Sequence, residues 1–522
     1  MTRRKRALIL FLATITIGGG FRLAGLGTKI YSHDESYTSL RAAGFTGNDV
    51  FATLWDGRER TPAEIQRFLR PDAERTIRHT LASLARSEPQ HSPLFFVLAH
   101  YWIRHVGHTP EPLRALAALL GILSIPAAYW LAKELFGSGY PALLTVLLFA
   151  ASPYHILFSQ DARPYSLLTL AVLLSSGALL RAMRRDTTST WLQYAATLIL
   201  GIYSHQLFAF AALAHVLYFT GLKLKSRRST AVPRLDARQN ARFVVAGSMA
   251  LLAGLPWLLV LIARWETVAS KLNWSGVDVT WRRFLATWLT IGSSPFVDFP
   301  SGGALYGYVL RAAVVALIVY AALFLVIRAP ARCWLLVVLF YLCGAGFLVI
   351  PDLLMGGSRS LAGRYYVTVN IATILVVSHY LGAQIERSRG KRRVGWEIVV
   401  LLLLLVQLTS DVVSARADTW WNKRLGRINH AFVTEINQNN TLLLVTGQHG
   451  NNLGDILLLG FEIDRDVRFM LTFERRPLDW ARYQRVYWFP SSALEVQDAV
   501  AAGGIRVTEV LRGMLWTVEP AG

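Results

Sequence analysis

Apolar residues recur along this chain in runs of about 18 to 22 positions separated by short polar connections, and each run can cross a hydrocarbon core of about 30 Å as a helix. The runs fall near 7–27, 113–135, 140–158, 165–183, 190–205, 207–222, 243–263, 304–327, 331–350, 364–382 and 396–412, which predicts about eleven membrane-spanning helices. One further apolar stretch, SPLFFVLAHYWIRHVGH over 92–108, carries His100, Arg104 and His108 at every fourth position. That spacing puts the three polar residues on one helical face and predicts a helix lying in the interface, not a span. After 412 the pattern changes. TLLLVTG, DVRFML, RVYWFP, IRVTEVL and MLWTVEP read as short strands, and SSALEVQDAVAAGG as a helix closed by glycines. The expected architecture is an all-α polytopic membrane domain over 1–412, with a first outer loop over 28–112 bearing interfacial helices. A compact α/β domain over 413–522 follows, outside the membrane.

Composition supports a membrane solvent: 53% of the 522 residues are hydrophobic, far more than in a soluble chain of this size. The start, MTRRKRALILFLATITIGGG, has the basic opening and apolar stretch of a signal peptide. No small-x-small cleavage site follows and a polytopic chain does, which predicts a retained first helix. Cys333 and Cys343 share one predicted helix, about 15 Å apart, too far for a disulfide. The net charge of +21 is concentrated in TRRKR at the start, RAMRR at 181–185, KLKSRR at 223–228, RAPAR at 328–332 and ERSRGKRR at 386–393. With 92–108 left out of the count, all of these fall on the cytoplasmic side, as the positive-inside bias requires. The charge reports topology and argues against a nucleic-acid partner.

The chemically unusual segments then collect on the outer side: YSHDESYTSL at 31–40, ASPYHILFSQDARPY at 151–165, IYSHQ at 202–206, a Trp-rich loop over 264–303, PDLLMGGSRSLAGRYY at 351–366, and the last hundred residues. Asp34 and Glu35 follow a membrane exit, where an ionised carboxylate is disfavoured unless water or a cation is near. Arg163 and Arg364 stand at the outer ends of other predicted helices. A carboxylate so placed is a candidate general base; a solvated loop cap is the competing reading. In QDARPYSL, Pro164 suits a first helical turn, Asp161 or Ala162 an N-cap, and Tyr165 an interfacial anchor. Arg163 opposes the helix dipole there, yet its fork of donors suits a phosphate; a lipid headgroup would satisfy it equally. Trp265, Trp274, Trp281 and Trp288 read as interfacial anchors or sugar-stacking rings, residues 301–303 as a hinge for a lid, and GQHGNNLGD as a turn. The charges of GRERTPAEIQRFLRPDAERTIRHTLASLARSE balance, as on a solvated face.

In order and spacing, HDESY, HSPLFFVLAHYWIRHVG, PEPLRALAALLGILSIPAAYWLAKELFG, SPYHILFSQDARPYSLL, IYSHQLFAF and GRYYV resemble the polytopic C-type (GT-C) glycosyltransferases of the protein O-mannosyltransferase-like and aminoarabinose-transferase-like superfamily. The resemblance runs along most of the first 380 residues. It implies that Asp34, the first acid of the family's Asp-Glu pair, is the base on the acceptor, with Glu35 beside it in the catalytic motif. The family's His/Lys-Pro-Pro element, which contacts lipid phosphate or a metal, reads His91-Ser92-Pro93 here, with serine in place of the first proline. Asp161 and Arg163 match the acidic and basic positions opening a later helix, and Arg364 a basic position near the donor head group. Arg163, Arg364 and His91 are thus implied to bind donor phosphate, and Asp161, Tyr165 and His205 to contact substrate. His205 reads equally well as a packed interfacial histidine. The one cofactor implied is a divalent metal ion on His91 and Asp161.

The resemblance also implies a bacterial inner-membrane protein with a cytoplasmic N-terminus. Nucleotide sugars are not supplied on the outer face, and no Walker-type or G-x-G-x-x-G loop occurs on a predicted strand-to-helix turn. The sugar is therefore expected on a polyprenyl phosphate. Asp34 would deprotonate a hydroxyl of an envelope glycan, lipid or protein, the hydroxyl would invert the anomeric carbon, and the arginines or a divalent ion would stabilise the departing phosphate. A transporter or lipid flippase is the alternative from another class. It fits the many helices, but no repeat between halves is evident and the unusual residues gather at one membrane face instead of the midplane.

Overall fold

The computed structural model describes residues 3–228, 236–272, 279–300, 304–419, 424–437, 441–446, 450–473, 482–490, 493–511 and 514–521. The chain forms two compact units. One comprises Met1–Ala24, Glu88–Phe95 and Arg114–Arg416; the other comprises Gly25–Ser87, Phe96–Leu113 and Ala417–Gly522. Most of the first outer loop, assigned from sequence to the membrane domain, thus shares a unit with the C-terminal residues.

The first unit is helical. Among the described residues eight helices are long and apolar enough to cross a membrane: Pro110–Phe136, Tyr165–Arg185, Phe208–Ser226, Ala237–Ala263, Leu305–Arg328, Ala331–Met355, Val367–Arg387 and Gly390–Ala415. The apolar runs near 7–27 and 190–205 are also helical, as Arg3–Leu23 and Thr188–Ser204. The run near 140–158 is a broken span, Tyr140–Ala150 and Pro153–Ser159, bent by 50°. The cause is local: Pro153 has no N–H to continue the ladder and holds Ser152 in an extended conformation. Leu251, Leu252, Ile262, Ile327 and Leu354 are exposed, as expected of side chains meeting acyl chains. Arg22 is fully buried. Its guanidinium donates to the carbonyls of Gly18 at 2.9 Å, Ala150 at 2.8 Å and Phe149 at 3.4 Å, so it ties the first helix to the C-terminal end of the broken span's first half.

The stretch predicted to lie in the interface forms a helix over Leu94–His105, only 12 residues long and too short to span. Its polar face is buried at His100 and exposed at Arg104. The His100 ring is buried, with Nδ1 2.9 Å from the Ala42 carbonyl and 3.1 Å from Thr80 Oγ1, and Arg104 donates to the Asp72 carbonyl at 2.7 Å. Backbone carbonyls of residues 42, 72 and 75 accept from this face.

The second unit holds a six-stranded sheet: β1 (Glu59–Arg60), β2 (Thr441–Thr446), β3 (Arg468–Thr472), β4 (Arg485–Phe489), β5 (Ile505–Leu511) and β6 (Leu515–Pro520), in the order β1-β3-β2-β4-β6-β5. β2 runs parallel to both β3 and β4, and all of its residues are buried, which is why TLLLVT reads as a continuous apolar run without alternation. β1 comes from the segment between the first helix and Pro110–Phe136 and pairs antiparallel with β3, Glu59 opposite Met470 and Arg60 opposite Phe469, covering what would otherwise be an open edge. The crossover from β2 to β3 is the helix Gly450–Glu462. The GNNLGD part of the segment read as a turn therefore lies in this helix; the rest, 447–449, lies outside the described residues, as do Trp274 and the 301–303 hinge.

Candidate functional site

In the membrane-helical unit, four of the sequence-predicted residues converge. His91 sits on a turn closed by its own N–H donating to the Glu88 carbonyl at 3.0 Å. Ser92 Oγ donates to the Ile202 carbonyl at 3.0 Å, pinning that turn to the end of Thr188–Ser204, whose C-cap is His205. Arg163 follows the short helix Pro153–Ser159 on a tight turn in which its N–H donates to the Asp161 carbonyl at 2.6 Å. Gln160 fixes the turn by donating to the carbonyls of Phe21 and Ala24 at 2.8 and 2.7 Å. The Arg163 side chain is buried, and its Nη2 lies 3.3 Å from His91 Nε2, which is also 3.2 Å from Glu88 Oε2. Asp161 is buried at the head of the same turn.

His205 reports the charge around it. Its Nδ1 accepts from the Leu207 N–H at 3.1 Å, so the neutral ring carries its proton on Nε2. The side chains of His91, Arg163 and Arg364 lie close enough to act on it electrostatically. The Tyr165 ring packs 5.5 Å from the His205 ring and 5.1 Å from Phe158. Arg364 lies on the 3-10 turn Gly363–Tyr365, its guanidinium carbon 5.3 Å from the centroid of the Tyr365 ring. Asp352 holds the preceding loop: Oδ1 accepts from Arg359 Nη1 at 3.1 Å and Oδ2 from the Ser360 N–H at 2.6 Å, while Tyr366 donates to the Ser360 carbonyl at 2.8 Å. Tyr154 OH, on the helix leading to Arg163, donates to the Gly363 carbonyl at 3.3 Å. Two guanidiniums, His91 and a neutral imidazole N–H therefore share one neighbourhood, a donor set suited to phosphate oxygens.

Asp34 and Glu35 lie in the other unit, on the helix His33–Ala42. Ser32 is its N-cap, and Ser32 with Glu35 forms a capping box: the Glu35 N–H donates to Ser32 Oγ at 3.3 Å, and the Ser32 N–H to Glu35 Oε2 at 2.9 Å. Glu35 is fully buried. The Glu35 carboxylate thus folds back on the helix terminus. Asp34 is half-buried in the first turn, where the helix dipole favours an ionised carboxylate.

Residues 90–237 match the family described as dolichyl-phosphate-mannose-protein mannosyltransferase, a stretch that includes His91, Arg163 and His205. That stretch is less than a third of the chain, and the rest is compared through the fold. Among solved structures of the same fold, ArnT from Cupriavidus metallidurans bound to undecaprenyl phosphate is 15% identical, with a TM-score of 0.54 over 99% of this chain and 98% of that one. An Archaeoglobus fulgidus oligosaccharyltransferase, tethered to an acceptor peptide with the NVT sequon, is 12% identical with a TM-score of 0.53 over 90% of this chain and 64% of that one. No curated protein matches the sequence. At such identities the likeness is one of fold.

The metal reading of His91 and Asp161 does not fit. A guanidinium nitrogen of Arg163 stands 3.3 Å from the very nitrogen that would ligate, and no group of three or more His, Cys, Asp or Glu among the described residues is arranged to hold a metal ion. Three residues escaped the sequence reading. Glu88 pairs with His91 three positions on, and that spacing in SEPQH was its signal. Asp352 was visible as a lone acid ending an apolar helix. Tyr154 gave no signal, because its role is a contact across 209 positions. Of the tryptophans, Trp265 and Trp281 are exposed, whereas Trp288 donates to Ser360 Oγ at 3.2 Å and so braces the loop that Asp352 holds.

Proposed function

We propose that this protein is an integral-membrane glycosyltransferase that moves a sugar from a polyprenyl-phosphate donor to a hydroxyl acceptor on the non-cytoplasmic face, inverting the anomeric centre. The observation that carries this reading is the gathering of Arg163, Arg364 and His91 around a neutral His205 in a unit otherwise built of apolar helices. Guanidinium forks gathered at such a boundary suit the oxygens of an anionic lipid head group. The ArnT structure of the same fold was solved with undecaprenyl phosphate, which supports a lipid phosphate as the ligand.

The donor is a phosphodiester bearing one negative charge. Arg163 and Arg364 hold its oxygens, with His91 beside them, and His205 Nε2–H donates to the head group while Tyr165 packs against that imidazole. Asp34 takes the proton of the acceptor hydroxyl as its oxygen attacks the anomeric carbon from the face opposite the phosphate. The carbon–oxygen bond to phosphate breaks, its electron pair leaves with polyprenyl phosphate, and the second negative charge develops beside the guanidiniums, where it is stabilised more than the ground state. Asp161 and the arginines order the head group; Glu35 holds the helix that carries Asp34.

The test uses purified protein in proteoliposomes with undecaprenyl-phosphate mannose, glucose, galactose and aminoarabinose, each labelled in the sugar, and with membrane extracts as acceptor. Transfer of label with release of undecaprenyl phosphate supports the proposal. Label that crosses the bilayer while still attached to its lipid supports the flippase alternative and overturns it.

A further inference from the structure

The mechanism leaves the C-terminal domain without a task, although its crossover helix Gly450–Glu462 makes a chain of contacts to the segment around Asp34. Glu462 Oε1 accepts the Tyr31 N–H at 2.8 Å, just before the helix His33–Ala42 begins. One turn further on, Ser36 Oγ lies 2.8 Å from the His33 carbonyl and 2.9 Å from the Gly454 carbonyl. Between these, His33 Nδ1 meets Asp455 Oδ1 at 3.0 Å, and Asn429 Nδ2 donates to the same oxygen at 3.2 Å. Asp455 and Asn429 are both buried. The His33 ring lies flat on the crossover helix, since a Cβ added at Gly454 would collide with ring atoms Cε1, Nδ1 and Nε2. A glycine at mid-helix costs about 1 kcal/mol in propensity; at this place it admits the ring.

We infer that Asp455 is a positioning residue: through His33 it fixes the first turn of His33–Ala42, and with it the aim of Asp34, so that the C-terminal domain serves as a jig for the base. The inference rests on the reading of Asp34 as the base. His33 and Ser36 flank Asp34 by one and two residues, and Asp455 and Gly454 grip both from a domain more than 400 positions away. Asp455 itself touches no substrate in this scheme. Its effect passes through geometry, and a misplacement of about 1 Å can lower a rate by about 10²-fold.

The experiment compares full-length Asp455→Ala, Asp455→Asn and Asp34→Asn, and the double variant Asp34→Asn/Asp455→Ala, in undecaprenyl-phosphate release from the four donors above. Asp455→Ala is expected to lower kcat by about 10²-fold while the donor KM stays within about twofold. Asp455→Asn, which keeps an oxygen acceptor for His33 Nδ1–H, restores most of the rate. The double variant is as slow as Asp34→Asn alone, because a positioning residue has nothing left to aim. A merely structural Asp455 would instead slow the Asp34→Asn background by the same factor as wild type, and that result overturns the inference. Hydrogen exchange of peptides covering residues 31–40 gives a reading independent of any donor. Protection there falls in Asp455→Ala while the membrane helices keep theirs; unchanged protection overturns the inference even if the rate falls. If Asp34→Asn is inactive and Asp455→Ala is not slowed, only the positioning role fails; if Asp34→Asn retains full rate, the base reading fails and the inference falls with it.

Discussion

Replacing Arg163 by glutamine removes one buried guanidinium while keeping two donors and much of the side-chain volume. In the wild-type geometry that group is buried, held by the Asp161 turn, and 3.3 Å from His91. Its bond to a phosphate oxygen is a charge-assisted one, worth about 1.5–3 kcal/mol, which corresponds to about 10- to 150-fold in affinity. The loss should not be equal for the two lipids. The donor is a diester with one charge, whereas the product is a monoester carrying about −1.5 to −2 at neutral pH, with a second pKa of about 6. Arg163→Gln is therefore expected to weaken undecaprenyl-phosphate binding more than donor binding, and to lower kcat more than it raises KM, because the second charge develops only as the bond breaks. The wild-type affinity for product should fall as pH drops below about 6 and the monoester takes up a proton, and this dependence should flatten in the variant. Arg163→Lys, with charge but no fork, should fall between the two. Binding of labelled undecaprenyl phosphate to nanodisc-embedded protein between pH 5 and 8, with parallel steady-state kinetics, measures all of these. Equal product affinities and equal kcat in wild type and Arg163→Gln would refute the phosphate role.

Three further outcomes follow from the same geometry. Glu35→Gln keeps a capping-box partner for Ser32 and should retain activity within a few-fold, while Glu35→Ala should lose about 1 kcal/mol of stability; thermal unfolding alongside turnover separates the two. His205→Ala removes the imidazole N–H proposed to donate to the head group and should weaken donor binding by about 10-fold or less; unchanged affinity in the same binding assay would contradict that contact. Asp352→Ala strips Arg359 and the Ser360 N–H of their carboxylate, costs about 1–3 kcal/mol, and should weaken donor binding about tenfold through the loosened Arg364 turn, read by the same binding assay.

The spans and the C-terminal strands were legible because they are written as run length and composition, which depend on neighbours in sequence. The broken span was legible in part, since Pro153 stood in view, but the Arg22 guanidinium that donates to the Ala150 carbonyl beside the 50° bend is too distant in sequence to be read from any local pattern. Glu35 could have been told from Asp34 in advance: Ser32-His33-Asp34-Glu35 is an S-x-x-E capping box, masked by the attraction of two adjacent acids. GNNLGD reads as a turn because its glycines and asparagines disfavour helix; contact with His33 outweighs that preference at Gly454. β1 left no signal, for a two-residue strand has no period. Topology put His91, Arg163, His205 and Arg364 on one side of the bilayer and the resemblance implied a shared site, but the contacts that join them, Ser92 to Ile202 and Tyr154 to Gly363, lie beyond any local pattern.

The central claim is that an acid at residue 34 draws the proton from a hydroxyl that displaces a lipid phosphate. Single-turnover release of undecaprenyl phosphate by wild type and Asp34→Asn, at saturating donor and acceptor, tests it most directly. Loss of at least about 10²-fold in the chemical step, with donor binding retained, is the expected result. Equal rates in the two proteins would contradict it.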